Sequence, residues 1–259
     1  MSTAVSETTI YEHPLNEKMR TFLRLEHLFL QVNHHLLQND VWSSRATVSG
    51  LLDMGNIFSR ADIKADLIKE LDRHREKLAN IRRTQGIDTQ RLDQILDELG
   101  KATDRIYQIS GQIGHSIRSN EFLKSILQRS SIPGGTCSFD LPQYHHWVTQ
   151  PPEPRVQRLS YWIEILQPVR DAIALALSLA RTSATPRQVI AAEGFFQESL
   201  DVQGPAQLVR VTLNDSAHLF PEISGHKNRF SIRFMSTEDT AKPTPWREDT
   251  AFILTCCVF

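Results

Sequence analysis

The sequence predicts an α+β protein, in which a helix bundle is followed by a mainly antiparallel β region. Apolar residues recur at helical spacing through the first two thirds of the chain, and they alternate with polar residues after residue 186. The composition, 40% hydrophobic and 23% charged, is that of a globular protein with a core. We therefore expect a mainly α-helical domain at residues 1–185 and a β-strand domain at residues 186–259 packed against it.

The first predicted helix covers residues 15–37. On a helical wheel its apolar residues fill one broad arc, whereas Arg20 and Arg24 fall on the opposite arc and are expected to face solvent. Glu26 points into the apolar arc, so we expect it to have a polar or basic partner. The apolar arc consists of Leu15, Met19, Phe22, Leu23, Leu25, Leu28, Phe29, Leu30, Val32, Leu36 and Leu37.

Two further amphipathic segments, at residues 61–84 and 88–107, predict an antiparallel helical hairpin that turns at Gly86. The hairpin either packs only within its own bundle or also contacts another subunit, and the pattern favours neither. A segment with several prolines and glycines at residues 130–147 interrupts the helices. One more long helix is then predicted from residue 154 to about residue 182.

The strand predictions come from segments rich in β-branched and aromatic residues, at residues 195–200, 207–214, 228–235 and 251–258. Successive side chains of a strand point to opposite faces of its sheet. In residues 229–234, the apolar side chains therefore share one face, while Arg229 and Arg233 share the other. Paired guanidinium groups suit the recognition of carboxylates. The alternative is an ordinary solvated strand face with two incidental arginines.

Charge and composition exclude several classes of protein. The formal net charge is only −1, which argues against a protein that coats nucleic acid. No apolar run approaches the length of a membrane span, and the N-terminus lacks the pattern of a secretory signal. The three cysteines make a poor disulfide framework. We therefore expect a cytoplasmic protein with no nucleic-acid partner and no membrane insertion.

The motifs that bind nucleotides, dinucleotides or catalytic zinc are missing from the sequence, and we predict no cofactor and no metal. One catalytic alternative centres on the PGGTC loop, where Cys137 would act as a nucleophile and His145 or His146 as its base. Such a protein would be a thiol-dependent hydrolase or transferase.

Several ordered stretches along the chain resemble the ZapD family of bacterial division proteins. They are EHPLNEKMRTFLRLE at 12–26, LLDM at 51–54, LIKELDR at 67–73, SIPGGTCSFDLP at 131–142 and ISGHKNRFSIRFM at 223–235. The resemblance implies a helical domain joined to a β domain, a homodimer and no enzymatic activity. It also implies binding to the C-terminal tail of FtsZ, bundling of FtsZ protofilaments, and a role in Z-ring assembly and septation at mid-cell.

The family's binding surface is basic, and its residues are carried over here by motif. The implied partner-binding residues are Arg20 and Arg24 of EKMRTFLR, Arg60 just after LLDM, Arg229 and Arg233 of HKNRFSIR, and in addition Lys227 and His145. The stretch before SIPGG departs from the more basic pattern of the family, because Glu121 stands there. The edge of the basic surface is therefore left open near Glu121.

Overall fold

The computed structural model describes residues 8–82, 88–200, 206–214, 218–226, 228–237 and 241–258. The helices are α1 (Glu17–Leu36), α2 (Val41–Arg60), α3 (Ile63–Ile81), α4 (Thr89–Tyr107), α5 (His115–Arg118), α6 (Glu121–Ser130), α7 (Pro142–Val148), α8 (Pro152–Glu164) and α9 (Gln167–Arg181). The strands are β1 (Thr8–Pro14), β2 (Arg187–Ala191), β3 (Phe195–Ser199), β4 (Leu208–Asn214), β5 (Leu219–His226), β6 (Arg229–Ser236), β7 (Thr244–Pro245) and β8 (Thr250–Cys257). Apart from β1 the helices precede the strands, which confirms the predicted α+β class.

The chain forms two compact units. The β unit consists of residues 1–21 and 177–259, and the helical unit consists of residues 22–176. The N-terminal segment enters the β unit because β1, which the sequence did not indicate, pairs with β4. The predicted domain boundary between residues 185 and 186 stays a prediction, since compactness alone defines these units.

Two antiparallel sheets build the β unit. Sheet A has the strand order β1-β4-β8-β2, and sheet B has the order β3-β6-β5, with β7 paired to β6. Phe252 of sheet A contacts two rings of sheet B, with centroid distances of 5.6 Å to Phe196 and 5.2 Å to Phe234. The sheets therefore share one core, as expected where each has an apolar face to bury. Its buried members are Leu15, Ala191, Leu200, Ala206, Val209, Val211, Leu213, Phe230, Ile232, Phe234, Phe252 and Leu254.

A tight turn at Glu193 and Gly194 sends the chain from sheet A into sheet B. Both residues have positive φ, 49° and 73°, as a type I′ hairpin turn requires. Glycine takes this conformation freely, and the backbone of Trp246 also lies where a side chain at position 194 would begin. The turn makes β3 the first strand of sheet B and leaves it at the edge of that sheet.

In the helical unit, the buried side chain of Arg155 joins three parts of the chain. Its Nε donates to Ser44 Oγ at 3.2 Å, its Nη1 to the carbonyl of Val148 at 2.9 Å, and its Nη2 to the carbonyl of Asn39 at 2.8 Å. These bonds hold α8 to the start of α2 and the end of α7. A buried guanidinium is tolerated here because carbonyl and hydroxyl oxygens satisfy its donors.

Two predictions for the helices are wrong, and a third concerns residues that the structure does not describe. The long helix predicted over 154–182 is wrong, because α8 ends at Glu164 and α9 begins at Gln167. Pro168 has no N–H and its ring excludes a continuous helix at this point. Leu30 and Leu37 were predicted in the apolar arc, but they are 64% and 80% exposed. The predicted turn at Gly86 lies outside the described residues.

Among the residues that the structure describes, no helix combines the length and the apolar character needed to cross a membrane.

Candidate functional site

Strand β6 has one buried and one exposed face, as its alternation predicts. Phe230, Ile232 and Phe234 are 1%, 0% and 0% exposed and belong to the core between the sheets. Arg229 and Arg233 lie on the opposite face and are exposed. The prediction for this strand is confirmed: the aromatic side chains anchor the strand, and both guanidinium groups point outward. Their Cα atoms lie about 13 Å apart, because each strand residue adds about 3.3 Å.

Arg233 sits beside an aromatic ring of the neighbouring strand. The register pairs it with Phe195 of β3 and with Glu222 of β5, so these side chains share the outer face of sheet B. Its guanidinium carbon is 5.9 Å from the centroid of the Phe195 ring, a cation–π contact that draws the charge toward β3. Glu222 was not predicted as part of the site, because it stands one residue before the stretch ISGHKNRFSIRFM at 223–235 from which Arg229 and Arg233 were identified. Its carboxylate moderates the positive charge on the β5 side of this face.

Arg229 occupies the other end of the same face. Its neighbours across the two ladders are Ser199 of β3 and His226 of β5, and all of them are exposed. A small side chain and an imidazole leave the guanidinium accessible to a ligand. Lys227, which was also predicted to bind a partner, follows His226 directly but lies outside the described residues.

The arginines of the β unit differ in whether carboxylates already neutralise them. The carboxylate of Glu12 in β1 accepts hydrogen bonds from Arg181 Nη2 at 2.7 Å and from Arg210 Nε at 2.9 Å. Two cations therefore share one half-buried carboxylate. Neither Arg229 nor Arg233 forms an ion pair with a carboxylate in the part of the chain that the structure describes. The two exposed cations are thus available for an external anion, whereas Arg181 and Arg210 stabilise the fold.

The N-terminal segment meets the β5–β6 hairpin at Gly225. A Cβ at this position would lie 2.9 Å from Leu15 Cδ2 and 2.7 Å from Phe230 Cβ, so only glycine allows the approach. His13 hydrogen-bonds the backbone of Gly225. Burial lowers the pKa of His13, and the nearby charge of Arg20 lowers it further, while the bond to Gly225 opposes both effects. His13 therefore connects Arg20 to the hairpin that carries Arg229.

Arg20 itself lies in the first turn of α1 and is 34% exposed. Its Nε donates to Glu17 Oε1 at 3.1 Å, a pair between residues three apart on the helix. Such surface pairs contribute little stability and exchange readily with other partners. A ligand carboxylate can therefore replace Glu17 as the partner of Arg20 at small cost.

The remaining predicted site residues belong to the helical unit, and all are exposed. Arg24 follows Arg20 by one turn of α1, Arg60 is the last residue of α2, and His145 lies on α7. Arg24 was predicted to face solvent, and its exposure confirms this. Of the predicted residues, Arg20, Arg229 and Arg233 belong to the β unit. Arg229 and Arg233 share the outer face of β6, and Arg20 is related to the hairpin that contains β6 through His13.

The thiols show no sign of activation. The Cys137 thiol donates to Asp140 Oδ2 at 3.4 Å, so its hydrogen-bond partner is a carboxylate rather than an imidazole. Burial raises the pKa of Cys256 and of Cys257 to about 11, and it outweighs the opposing effect of the nearby guanidinium groups of Arg187 and Arg210. A nucleophilic cysteine needs a thiolate at neutral pH, which a nearby base or cation provides. The geometry around Cys137 therefore does not favour the thiol-enzyme alternative.

The chain is similar to known proteins over nearly its whole length. The family that matches residues 23–233 is described as ZapD, cell division protein. The chain is 43% identical over 249 residues to the cell division protein ZapD of Methylococcus capsulatus, a match that covers 96% of this chain and 98% of that one. It is 37% identical over 247 residues to the cell division protein ZapD of Aromatoleum aromaticum, covering 95% and 96%.

Fold and similarity together define a cell division protein with a helical unit, a β unit and an exposed basic strand face. The chain belongs to the ZapD family. The resemblance seen in the sequence motifs is thereby confirmed.

Proposed function

We propose that this protein binds the C-terminal tail of FtsZ and, as a homodimer, cross-links FtsZ protofilaments into bundles. In this role it promotes Z-ring assembly and septation, acts in the cytoplasm at the mid-cell division ring, and has no enzymatic activity. Membership of a cell division family supports the biological setting. The proposed binding residues are Arg20, Arg24, Arg60, His145, Lys227, Arg229 and Arg233.

The observation that carries the proposal is the exposed face of β6. Arg229 and Arg233 stand there without a neutralising carboxylate among the described residues, while the opposite face of the strand is fully buried. Guanidinium groups bind carboxylates through paired, charge-assisted hydrogen bonds. A rigid strand that presents two of them suits an acidic or mixed-charge peptide.

The first prediction tests these two residues. We expect Arg229→Ala and Arg233→Ala to weaken FtsZ binding by about 2–5 kcal/mol where the contact is desolvated, because truncation leaves the ligand carboxylate unpaired. Both side chains are exposed, so the thermal midpoint should stay close to that of the wild type. Co-sedimentation with purified FtsZ, with and without its last residues, measures the binding.

The matched control is Arg158→Ala, which removes an exposed arginine of the helical unit that lies 5.9 Å from the Tyr161 ring. It makes the same change in net charge as the test variants. If the two strand variants fold and bundle filaments as well as Arg158→Ala does, the tail binds elsewhere.

Salt provides the second prediction. The contacts proposed here are partly exposed ion pairs, and the Debye length falls from about 10 Å at 0.1 M salt to about 3 Å at 1 M. We expect the affinity for a tail peptide, measured by fluorescence anisotropy, to fall steadily over this range. An affinity that does not change with salt would indicate an apolar groove instead of a basic surface.

A further inference from the structure

We propose that the acidic peptide docks on sheet B as an added β-strand beside β3, with its acidic side chains over Arg229 and Arg233. This inference rests on the proposed function and specifies how the tail is held. Strand addition uses the backbone hydrogen bonds of an exposed sheet edge for affinity and alternate side chains for specificity.

Strand β3 offers an open edge. The amide of Phe234 donates to the carbonyl of Gly194 at 2.8 Å, and the amide of Leu200 donates to the carbonyl of Asn228 at 2.8 Å. In an antiparallel ladder the bonded positions alternate, so the even-numbered residues of β3 face β6. The backbone groups of Gln197 and Ser199 therefore point away from β6. On this outward side the amide of Phe195 already donates to the carbonyl of Ala192 at 2.9 Å, where the turn from β2 ends, so the free part of the edge is Gln197 and Ser199. Within the described ranges, no strand of sheet B lies beyond these two residues.

The opposite edge of sheet B is closed to a new strand. The backbone N–H and C=O groups of the even-numbered residues of β6 bond to β3, so those of its odd-numbered residues bond to β5. The register pairs these odd-numbered residues with even-numbered residues of β5. The backbone groups that point outward from β5 therefore belong to its odd-numbered residues. Pro221 is one of these and has no N–H to donate. Gly225 is another, and its backbone already bonds His13. A peptide that pairs with sheet B therefore has β3 as its available edge.

Charge favours the same edge. The contact between Arg233 and the Phe195 ring places this guanidinium over the first residue of β3, and Arg229 lies opposite Ser199 at the other end of the strand. Glu198 of β3 points to the inner side and pairs with Arg187, so it does not repel an acid on the outer face. The occupant that fits is an extended peptide with carboxylates on one face, four residues apart.

The edge of β2 in sheet A is the competing position. It carries the exposed Ile190, but the arginine of this strand, Arg187, is held by Glu198. An acidic ligand therefore finds an unneutralised cation beside β3 and not on β2.

A methylation scan of the ligand tests strand addition directly. FtsZ tail peptides, each N-methylated at one successive backbone amide, are titrated against the wild-type protein by fluorescence anisotropy. We expect affinity to fall about tenfold or more at alternate positions only, because every second amide of an added strand donates to its neighbour. Losses at consecutive positions, or at none, would overturn the inference in favour of a helical or side-chain-only mode of binding.

Two substitutions at one position test the protein side. Gln197→Pro removes an edge N–H that takes no part in the β3–β6 ladder, and edge strands tolerate proline at such positions. Gln197→Ala keeps the N–H and removes only the side chain. We expect about a tenfold loss of peptide affinity for the proline variant and less than about a twofold change for the alanine variant. Equal affinities for the two variants would overturn the inference.

The outcomes separate this inference from the proposed function. If the unmodified peptide does not bind wild-type protein, the proposed function fails. If it binds but either the methylation scan or the comparison of a folded Gln197→Pro variant with Gln197→Ala fails to show the expected effect, only strand addition fails. Should Gln197→Pro unfold in a thermal melt, the scan on the wild-type protein still decides.

Discussion

Replacing Phe230 with alanine is expected to lower the free energy of unfolding by about 3–5 kcal/mol, the usual cost of truncating a buried aromatic side chain. Phe230 is 1% exposed, and its ring centroid is 6.2 Å from that of Phe196. The substitution removes contacts between the strands of sheet B and leaves a cavity in the core that both sheets share. Urea denaturation of the wild type and the variant measures the difference.

The neighbouring residue supplies the control. Ser231 lies on the outer face of the same strand and is half-buried. Ser231→Ala is expected to change the free energy of unfolding by less than about 0.5 kcal/mol, as surface substitutions usually do. A Phe230→Ala variant as stable as Ser231→Ala would contradict the assignment of the two faces.

The second large effect concerns the number of binding sites. Cross-linking needs two tail sites in one particle, and a two-fold symmetric homodimer supplies two identical ones. We expect mixtures of wild-type protein with the Arg229→Ala, Arg233→Ala double variant to lose bundling faster than tail binding. With equal amounts and random exchange of subunits, about one half of the sites bind, but only about one quarter of the dimers cross-link.

Light scattering of FtsZ filaments measures bundling in these mixtures, and peptide anisotropy measures binding. The control mixture contains wild-type protein and Arg158→Ala, which should bundle fully at every ratio. Bundling that decreases in direct proportion to tail binding would mean that a single chain cross-links filaments. The dimer would then be unnecessary, and a second tail site would have to lie within one chain.

Predictions from the sequence were most accurate where the pattern of apolar and polar residues lies within one short segment. The alternation in β6 assigned every side chain from Arg229 to Phe234 to the correct face, because neighbouring strand residues point in opposite directions. The apolar arc of α1 was less reliable, and it wrongly included Leu30 and Leu37. A helical wheel shows which residues share a face, but tertiary packing decides how wide the buried part of that face is.

The parts of the site that the sequence did not indicate depend on pairing between distant segments. Glu222 and Phe195 became neighbours of Arg233 only through the register of β5 and β3 with β6. His13 joined the site because β1 belongs to the β unit, and a seven-residue strand beside a helix start is a weak signal. Alternation determines faces within a strand, whereas register across strands depends on long-range contacts.

The position of β8 has a consequence for how the protein is made. This strand lies between β4 and β2 in sheet A, although its residues, Thr250–Cys257, are the last of the strands to leave the ribosome. Phe252 of β8 also packs against Phe196 and Phe234, which lie on the inner face of sheet B. Sheets assembled from such distant segments form late and slowly. The outer face of sheet B, with Arg229 and Arg233, is therefore expected to form only after the strand at residues 250–257 has been synthesised and has joined sheet A.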